Sequence, residues 1–161
     1  MKGQIQQVFI YILTIVIVGM VLLIGYKAIG GIIGKGCDVE KATFQTNLDG
    51  YVEKYSDYGS VHKESLNAPC GSKSVCFVDA EQIANQDTEG TEDNSIIKNS
   101  VDEGIEENVF LISSDNITEP FGYNKKIQVD AGMVCVDNTN GKFYIWFEGL
   151  GKKTNISESS P

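Results

Sequence analysis

Between Val8 and Ile24 the chain reads VFIYILTIVIVGMVLLI, and no charge interrupts the longer stretch from Gly3 to Tyr26. As a helix, those 24 residues would span about 36 Å, which crosses a hydrocarbon core of ~30 Å with some tilt. The many β-branched residues do not argue for a strand, because a lone strand in lipid leaves its amides unpaired while a helix satisfies its own backbone. Gly30, Gly31, Gly34 and Gly36 follow closely, and that density of permissive residues predicts a hinge over residues 30–36 in preference to close helix contact. From Asp38 the pattern becomes amphipathic. Phe44, Leu48, Tyr51, Val52 and Tyr55 fall on one face of a helix of about 18 residues, with Asp38 as N-cap, Glu40 in the first turn and Gly59 ending the run. This stripe reads as a core face packing on a sheet.

Strand patterns follow. Residues 60–66 and 74–79 are joined by Asn-Ala-Pro-Cys-Gly-Ser-Lys and read as a hairpin. Residues 109–113 and 126–130 read as short strands. Residues 132–136 and 142–148 read as a second hairpin, with Asn140-Gly141 supplying the left-handed turn. In the last strand Phe143, Ile145 and Phe147 share the core face; Tyr144, Trp146 and Glu148 share the other, which either lies under the helix or meets another subunit. Between these halves, residues 85–94 read as a solvated acidic loop and 95–108 as a helix carrying Ile96, Ile97, Val101 and Ile105. Residues 149–161, rich in Lys and Ser, are expected to fray.

A chain of 161 residues has room for one ordinary domain plus an anchor. Every one of the 22 acidic residues lies at or after Asp38; against the 10 lysines of the same region they give a net charge of −12. That balance, with no Arg anywhere, excludes nucleic-acid binding and bidentate phosphate grips. The lone His62 lies in a strand beside Lys63 and Glu64 with no placed nucleophile. The cluster Asp87, Glu89, Glu92 and Asp93 lacks the ligand order and closing Glu of a calcium loop. No phosphate-cradling glycine loop, dinucleotide fingerprint or spaced carboxylate pair is present. The chain is therefore expected not to be an enzyme, and to take no cofactor, metal or small-molecule substrate.

Four cysteines, Cys37, Cys70, Cys76 and Cys135, all follow the apolar stretch, in no zinc or thiol-redox spacing. With acceptor patterns at Asn116 and Asn155 for glycosylation, they point to an oxidising, extracytoplasmic compartment. Lysines flank the apolar run on both sides, so the positive-inside rule does not orient it; the cysteines and acceptor sites place the C-terminal part outside. Four cysteines permit three pairings. The preferred set joins Cys70 to Cys76 across the first hairpin and Cys37 to Cys135, the longer closure constraining the unfolded chain by about 4 kcal/mol.

Three fates are open to the apolar segment: cleavage as a secretory signal near Gly34-Lys35-Gly36, retention as a signal anchor, or cleavage before the run. The first suits this run poorly, since usual signal cores span roughly 7–15 residues. The opening Met1-Lys2-Gly3-Gln4-Ile5-Gln6-Gln7-Val8-Phe9 resembles the start of an archaeal type IV pilin or archaellin precursor. The resemblance implies that a prepilin-type peptidase cuts between Gly3 and Gln4, and that the exposed helix packs through Val8, Phe9, Ile12, Ile15, Val16, Leu22 and Leu23. The family's pattern often carries a Glu at the fifth mature position; this chain has Val8 there. Either Gln6 or Gln7 satisfies the terminal amine, or the protein does not pack into a filament core in the usual way.

The expected organisation is α+β and pilin-like: a leader at 1–3, a transmembrane or filament-core helix at 4–29, the hinge at 30–36, an outer domain at 37–150 and a flexible tail at 151–161. Its expected function is a structural filament subunit whose partners are the membrane and copies of itself. The alternative is a signal-anchored surface protein, an adhesin or accessory component, that does not polymerise. An extracytoplasmic thiol enzyme is disfavoured because no thiol here has a low-pKa setting.

Overall fold

The computed structural model describes residues 2–91 and 94–159; the side chains of residues 2–8 and 28–35 lie outside that description. The chain divides into two compact units, residues 1–39 and 40–161. One helical assignment, α1 (Lys2–Lys54), runs through both. Asp38 is consequently an interior helical position and not an N-cap. The helical assignment also passes through residues 30–36 without an end where a break was expected; the side chains of the glycine-rich stretch are largely outside the description.

In the second unit the expected stripe is the core. Phe44, Leu48, Val52 and Tyr55 are buried, and they pack with two four-stranded sheets. The first sheet has the order β1 (Val61–Asn67), β7 (Lys142–Gly149), β8 (Thr154–Glu158), β5 (Ile127–Gln128). The second has the order β4 (Thr118–Gly122), β3 (Val109–Ile112), β2 (Ser74–Val78), β6 (Met133–Asp137). Phe143, Ile145 and Phe147 alternate inward along β7 as their spacing requires, and all three are fully buried. Phe44 meets Phe143 edge-on at 5.8 Å, and Tyr51 lies 5.9 Å from Phe147. The helix therefore covers this face of β7, and Tyr144 and Trp146 point away from it. Val75, Phe77, Val109, Leu111 and Val136 of the second sheet close the same core.

That second sheet is covered on both faces. Its far side, with Cys76, Val78 and Phe110, packs against Ile83 of α2 (Ala80–Asn85) and Ile97 and Val101 of α3 (Ser95–Asp102). Every residue of β2 is accordingly buried. Asp79 caps α2 by accepting from the Glu81 amide, and Asn94 caps α3 by accepting from Ile96 and Ile97. The α3 helix stops at Asp102, short of the expected 108, where Gly104 takes a φ of 64°. Ile96 and Ile105 are exposed, so only half of the expected apolar set faces inward.

The strand pairings differ from the hairpins expected. β1 pairs antiparallel with β7 over its whole length, from Val61 opposite Glu148 to Asn67 opposite Lys142, and not with β2. A turn at Pro69–Gly71, with Cys70 at φ 53°, carries the chain from one sheet to the other. At the second hairpin the turn itself forms, with Asn140 and Gly141 both at positive φ and a single bridge between Thr139 and Lys142. Pairing goes no further. A strand has two hydrogen-bonding edges, those of β7 are taken by β1 and β8, and β6 joins β2 instead. The strand expected at 126–130 contracts to Ile127–Gln128. The unforeseen β4 contains Pro120 and lies on a sheet edge, where a missing N–H donor is tolerated.

The tail expected at 151–161 is corrected most. Residues 154–158 form β8, antiparallel to β7 and parallel to β5, and Thr154, Asn155 and Ile156 are buried. The end of α1 explains why this strand matters. The last carbonyls of a helix have no intrahelical partner. Here Tyr51 O accepts from the Tyr55 amide, Glu53 O from Ser56, and Val52 O from the Thr154 hydroxyl at 2.7 Å. Close by, β7 ends on Gly149, where a Cβ would stand 2.5 Å from Tyr55 O and nearer still to Asp57 O. Only glycine fits there.

The disulfides correct the expected connectivity. Cys76 bonds to Cys135, its direct cross-strand neighbour in β2 and β6 with a Cα–Cα distance of 4.0 Å. This excludes both Cys70 with Cys76 and Cys37 with Cys135. The error follows from the strands, because the hairpin that would have brought Cys70 beside Cys76 does not form. Cys37 and Cys70 are also disulfide-bonded, and none of the four is free.

Two outcomes are expected. Thr154→Val, nearly isosteric, leaves Val52 O buried and unpaired and lowers unfolding free energy by about 1–3 kcal/mol in urea titration; an unchanged midpoint would contradict the capping role. Peptide mapping without reduction returns Cys76 linked to Cys135, and recovery of a Cys70–Cys76 peptide would refute this pairing.

Candidate functional site: the exposed apolar helix and the acidic head

Residues Phe9–Lys27 of α1 are 19 residues of mean hydropathy 2.6, the one stretch among the described residues long and apolar enough to cross a membrane. A helix in water buries at least one apolar stripe. This stretch is apolar on every face and buries none: exposure of its proposed packing residues runs from 49% at Val16 to 73% at Ile15, with Phe9, Ile12, Leu22 and Leu23 between. The Thr14 hydroxyl is satisfied within the helix, donating to Ile10 O at 2.6 Å, so this mid-helix polar group needs no water. Gly3, Gln4 and Val8 lie among the residues whose side chains are not described. An apolar surface of this extent marks a site that lipid or protein covers.

The head contributes charge. Lys41 pairs with Glu119 at 2.7 Å, Lys126 with Glu53, and Lys153 with Glu81. Exposed pairs of this kind contribute about 0–1 kcal/mol each, so their effect is to fix local geometry more than to hold the fold. The Lys153 ammonium keeps the Glu81 carboxyl below its ordinary value through a hydrogen bond and its charge. Three elements meet at an acidic concavity of about 340 Å³ lined by Asp79, Glu81, Gln82, Asp87, Gln128 and Asp130. Its carboxylates are committed to the fold. Asp79 accepts from the amides of Glu81 and Val129, Asp130 accepts from Asn155, and Glu81 holds Lys153. Among the described residues no group of three or more His, Cys, Asp and Glu is placed to hold a metal ion. Asp87 and Glu89 of the acidic loop are exposed, and Glu92 and Asp93 lie outside the described residues.

His62 lies on the helix-facing side of β1, stacked on the Tyr55 ring at 4.1 Å. The Tyr55 hydroxyl donates to Glu64 and accepts from Lys54, whose pKa this hydrogen bond raises. The cluster thus locks the end of α1 onto β1.

The two acceptor asparagines differ sharply. Asn116 is exposed, whereas Asn155 is buried in β8 and donates its Nδ2 to Asp130 at 2.9 Å. Burial sets Asn155 apart from Asn116, since the atom to be modified is already bonded inside the head. The Asn-x-Ser pattern carries no information on burial, which arises only when residues 154–158 join the sheet as β8.

Comparison with family models, with curated proteins and with solved structures found no match to this chain. The structural observations that bear on function are thus an apolar helix exposed on all sides, an α+β head and two disulfides. Disulfides and a membrane-length helix are consistent with an anchored or extracellular location.

Glu107 supplies a pH test of the head. Burial pushes its carboxyl above the ordinary range, and Oε2 is buried with no partner. The folded state therefore holds this proton more tightly than the unfolded state. The stability it confers is present at low pH and is lost as pH rises through the raised folded value. Glu107→Gln is expected to raise the melting temperature at pH 7 relative to the parent, with the advantage fading by about pH 4, the ordinary Glu range. An advantage of the same size at both pH values would contradict this assignment.

Proposed function

We propose that this chain is a structural subunit of an extracellular type IV pilus-like filament. The observation that carries the reading is the division of α1. Residues 9–26 are uncharged, largely apolar and exposed, while residues 44–52 bury an aromatic and aliphatic stripe in a disulfide-bonded α+β head. Such a helix is stable in lipid before assembly and in a bundle of its own copies afterwards, since both replace water at its surface. The head, net acidic, remains in water. The resemblance of residues 1–9 to archaeal type IV pilin precursors supplies the processing step: cleavage after Gly3 by a prepilin-type peptidase, leaving Gln4 as the mature terminus.

Partners under this reading are the membrane, the peptidase and other copies of the chain. No catalytic role is assigned to the head, because the carboxylates of its acidic concavity serve capping, ion pairing and strand contacts.

One observation favours a second reading. Val8 stands where the family often has a Glu that pairs with a neighbour's terminal amine, and a filament core without that pair leaves an ammonium to be satisfied otherwise. A surface protein held by the same helix without polymerising, an adhesin or accessory component, has no such requirement.

N-terminal sequencing of the surface-exposed protein is expected to begin at Gln4, with electron microscopy of sheared surface material showing filaments. Gly3→Val is expected to leave Met1 in place and abolish them. An intact Met1 on the unaltered protein would rule out pilin processing, and a Gln4 terminus without filaments would favour the non-polymerising anchor.

A further inference from the structure

We infer that Asn116, and not Asn155, carries an N-linked glycan on the folded protein. Both lie in Asn-x-Ser/Thr patterns, Asn116-Ile117-Thr118 and Asn155-Ile156-Ser157, so sequence alone treats them alike. The fold separates them. Asn116 occupies the tip of the turn between β3 and β4, where its amide donates to Ser113 O and Ile117 closes the turn by donating to Ser113 Oγ. Its φ of 58° is the left-handed conformation that Asn tolerates. Asp115, Asn116 and Ile117 are all exposed. The Lys73 ammonium donates to Asn116 Oδ1 at 2.7 Å, an interaction that uses the oxygen and not the Nδ2 to be modified. A sugar on Nδ2 here meets solvent and leaves that bond in place.

Asn155 is the opposite case. It is 8% exposed, lies in β8 with Glu148 of β7 on one side and Gln128 of β5 on the other, and its Nδ2 already donates to Asp130. A glycan would displace that bond and force a bulky polar group between strands that bury their neighbours Thr154 and Ile156. A chain modified at Asn155 cannot close this edge of the sheet.

In the transfer, Asn116 Nδ2 forms a bond to the anomeric carbon of a sugar carried on a lipid pyrophosphate. The anomeric carbon–oxygen bond to the pyrophosphate breaks, the lipid pyrophosphate leaves with the electron pair, and Nδ2 gives up one proton to a base of the transferring enzyme. The Thr118 hydroxyl, part of the recognised pattern, accepts from Asn94 Nδ2 at 2.9 Å in the folded head. Transfer therefore precedes closure of that contact, and the fold then retains chains modified at Asn116 while rejecting those modified at Asn155.

The inference rests on the head facing outside the cytoplasm. Its test is expression of the full chain through an N-glycosylating secretory pathway, followed by intact mass, glycopeptide mapping and free-thiol titration of the protease-resistant fraction. One glycan at Asn116 and no free thiol is the expected result. Asn116→Gln should remove the whole added mass, and Ser157→Ala, which destroys the second pattern at an exposed residue without touching Asn155, should leave it unchanged. A disulfide-complete fraction bare at Asn116, or modified at Asn155, overturns this assignment alone. A folded fraction with free thiols and no glycan overturns the outward placement of the head as well.

Discussion

The burial of one helical stripe organises the head. Phe44, Leu48, Val52 and Tyr55 repeat at helical spacing, and their rings and branches fill the space above Phe143, Ile145 and Phe147. Neither sheet can be dry without the helix, because the inner faces of both open onto the same cluster. Losing one of these large side chains typically costs about 2–5 kcal/mol, a sizeable share of the 5–15 kcal/mol by which most domains are stable. The three places that fix the end of the helix all serve this contact: the Tyr55, His62 and Glu64 cluster, the Gly149 close approach and the Thr154 bond to Val52 O.

The first half of the same helix obeys the opposite rule. Its large side chains from Phe9 to Tyr26 are apolar and exposed, and among the described residues none covers them. A surface of this kind is stable away from water, and by length and composition the stretch is able to cross a membrane. The charges are distributed to match. No charge falls between Gly3 and Tyr26, while the acids gather in the head, on a surface that stays wet and repels other proteins. Function under the proposed reading follows from that separation and needs no active site.

Much of this was legible because local patterns coincided with tertiary demand. The apolar run, the α1 stripe, the alternation in β7 and the left-handed Asn140-Gly141 turn were each visible in residue spacing, and each is present. What failed was partner choice. A good turn at 140–141 does not say that its arms pair, since β7 is claimed by β1 and by a C-terminal strand more distant in properties than in sequence. β8 reads Thr-Asn-Ile-Ser-Glu, and nothing in that polar string reports that Thr154 serves a helix carbonyl 102 residues earlier. The disulfide error was inherited from the same source. Cys76 and Cys135 become neighbours only once β2 and β6 are adjacent, a relation between segments 59 residues apart. At the candidate site the apolar helix was read directly, whereas the unequal burial of Asn116 and Asn155 required the sheet.

The two parts of this one chain call for different solvents. Phase separation between water and a nonionic detergent, applied in parallel to the full chain and to a chain starting at Cys37, tests this most directly. The full chain is expected in the detergent phase, and the shortened chain in water as a folded monomer. A full chain that stays in water, or a shortened chain that follows the detergent, would contradict it.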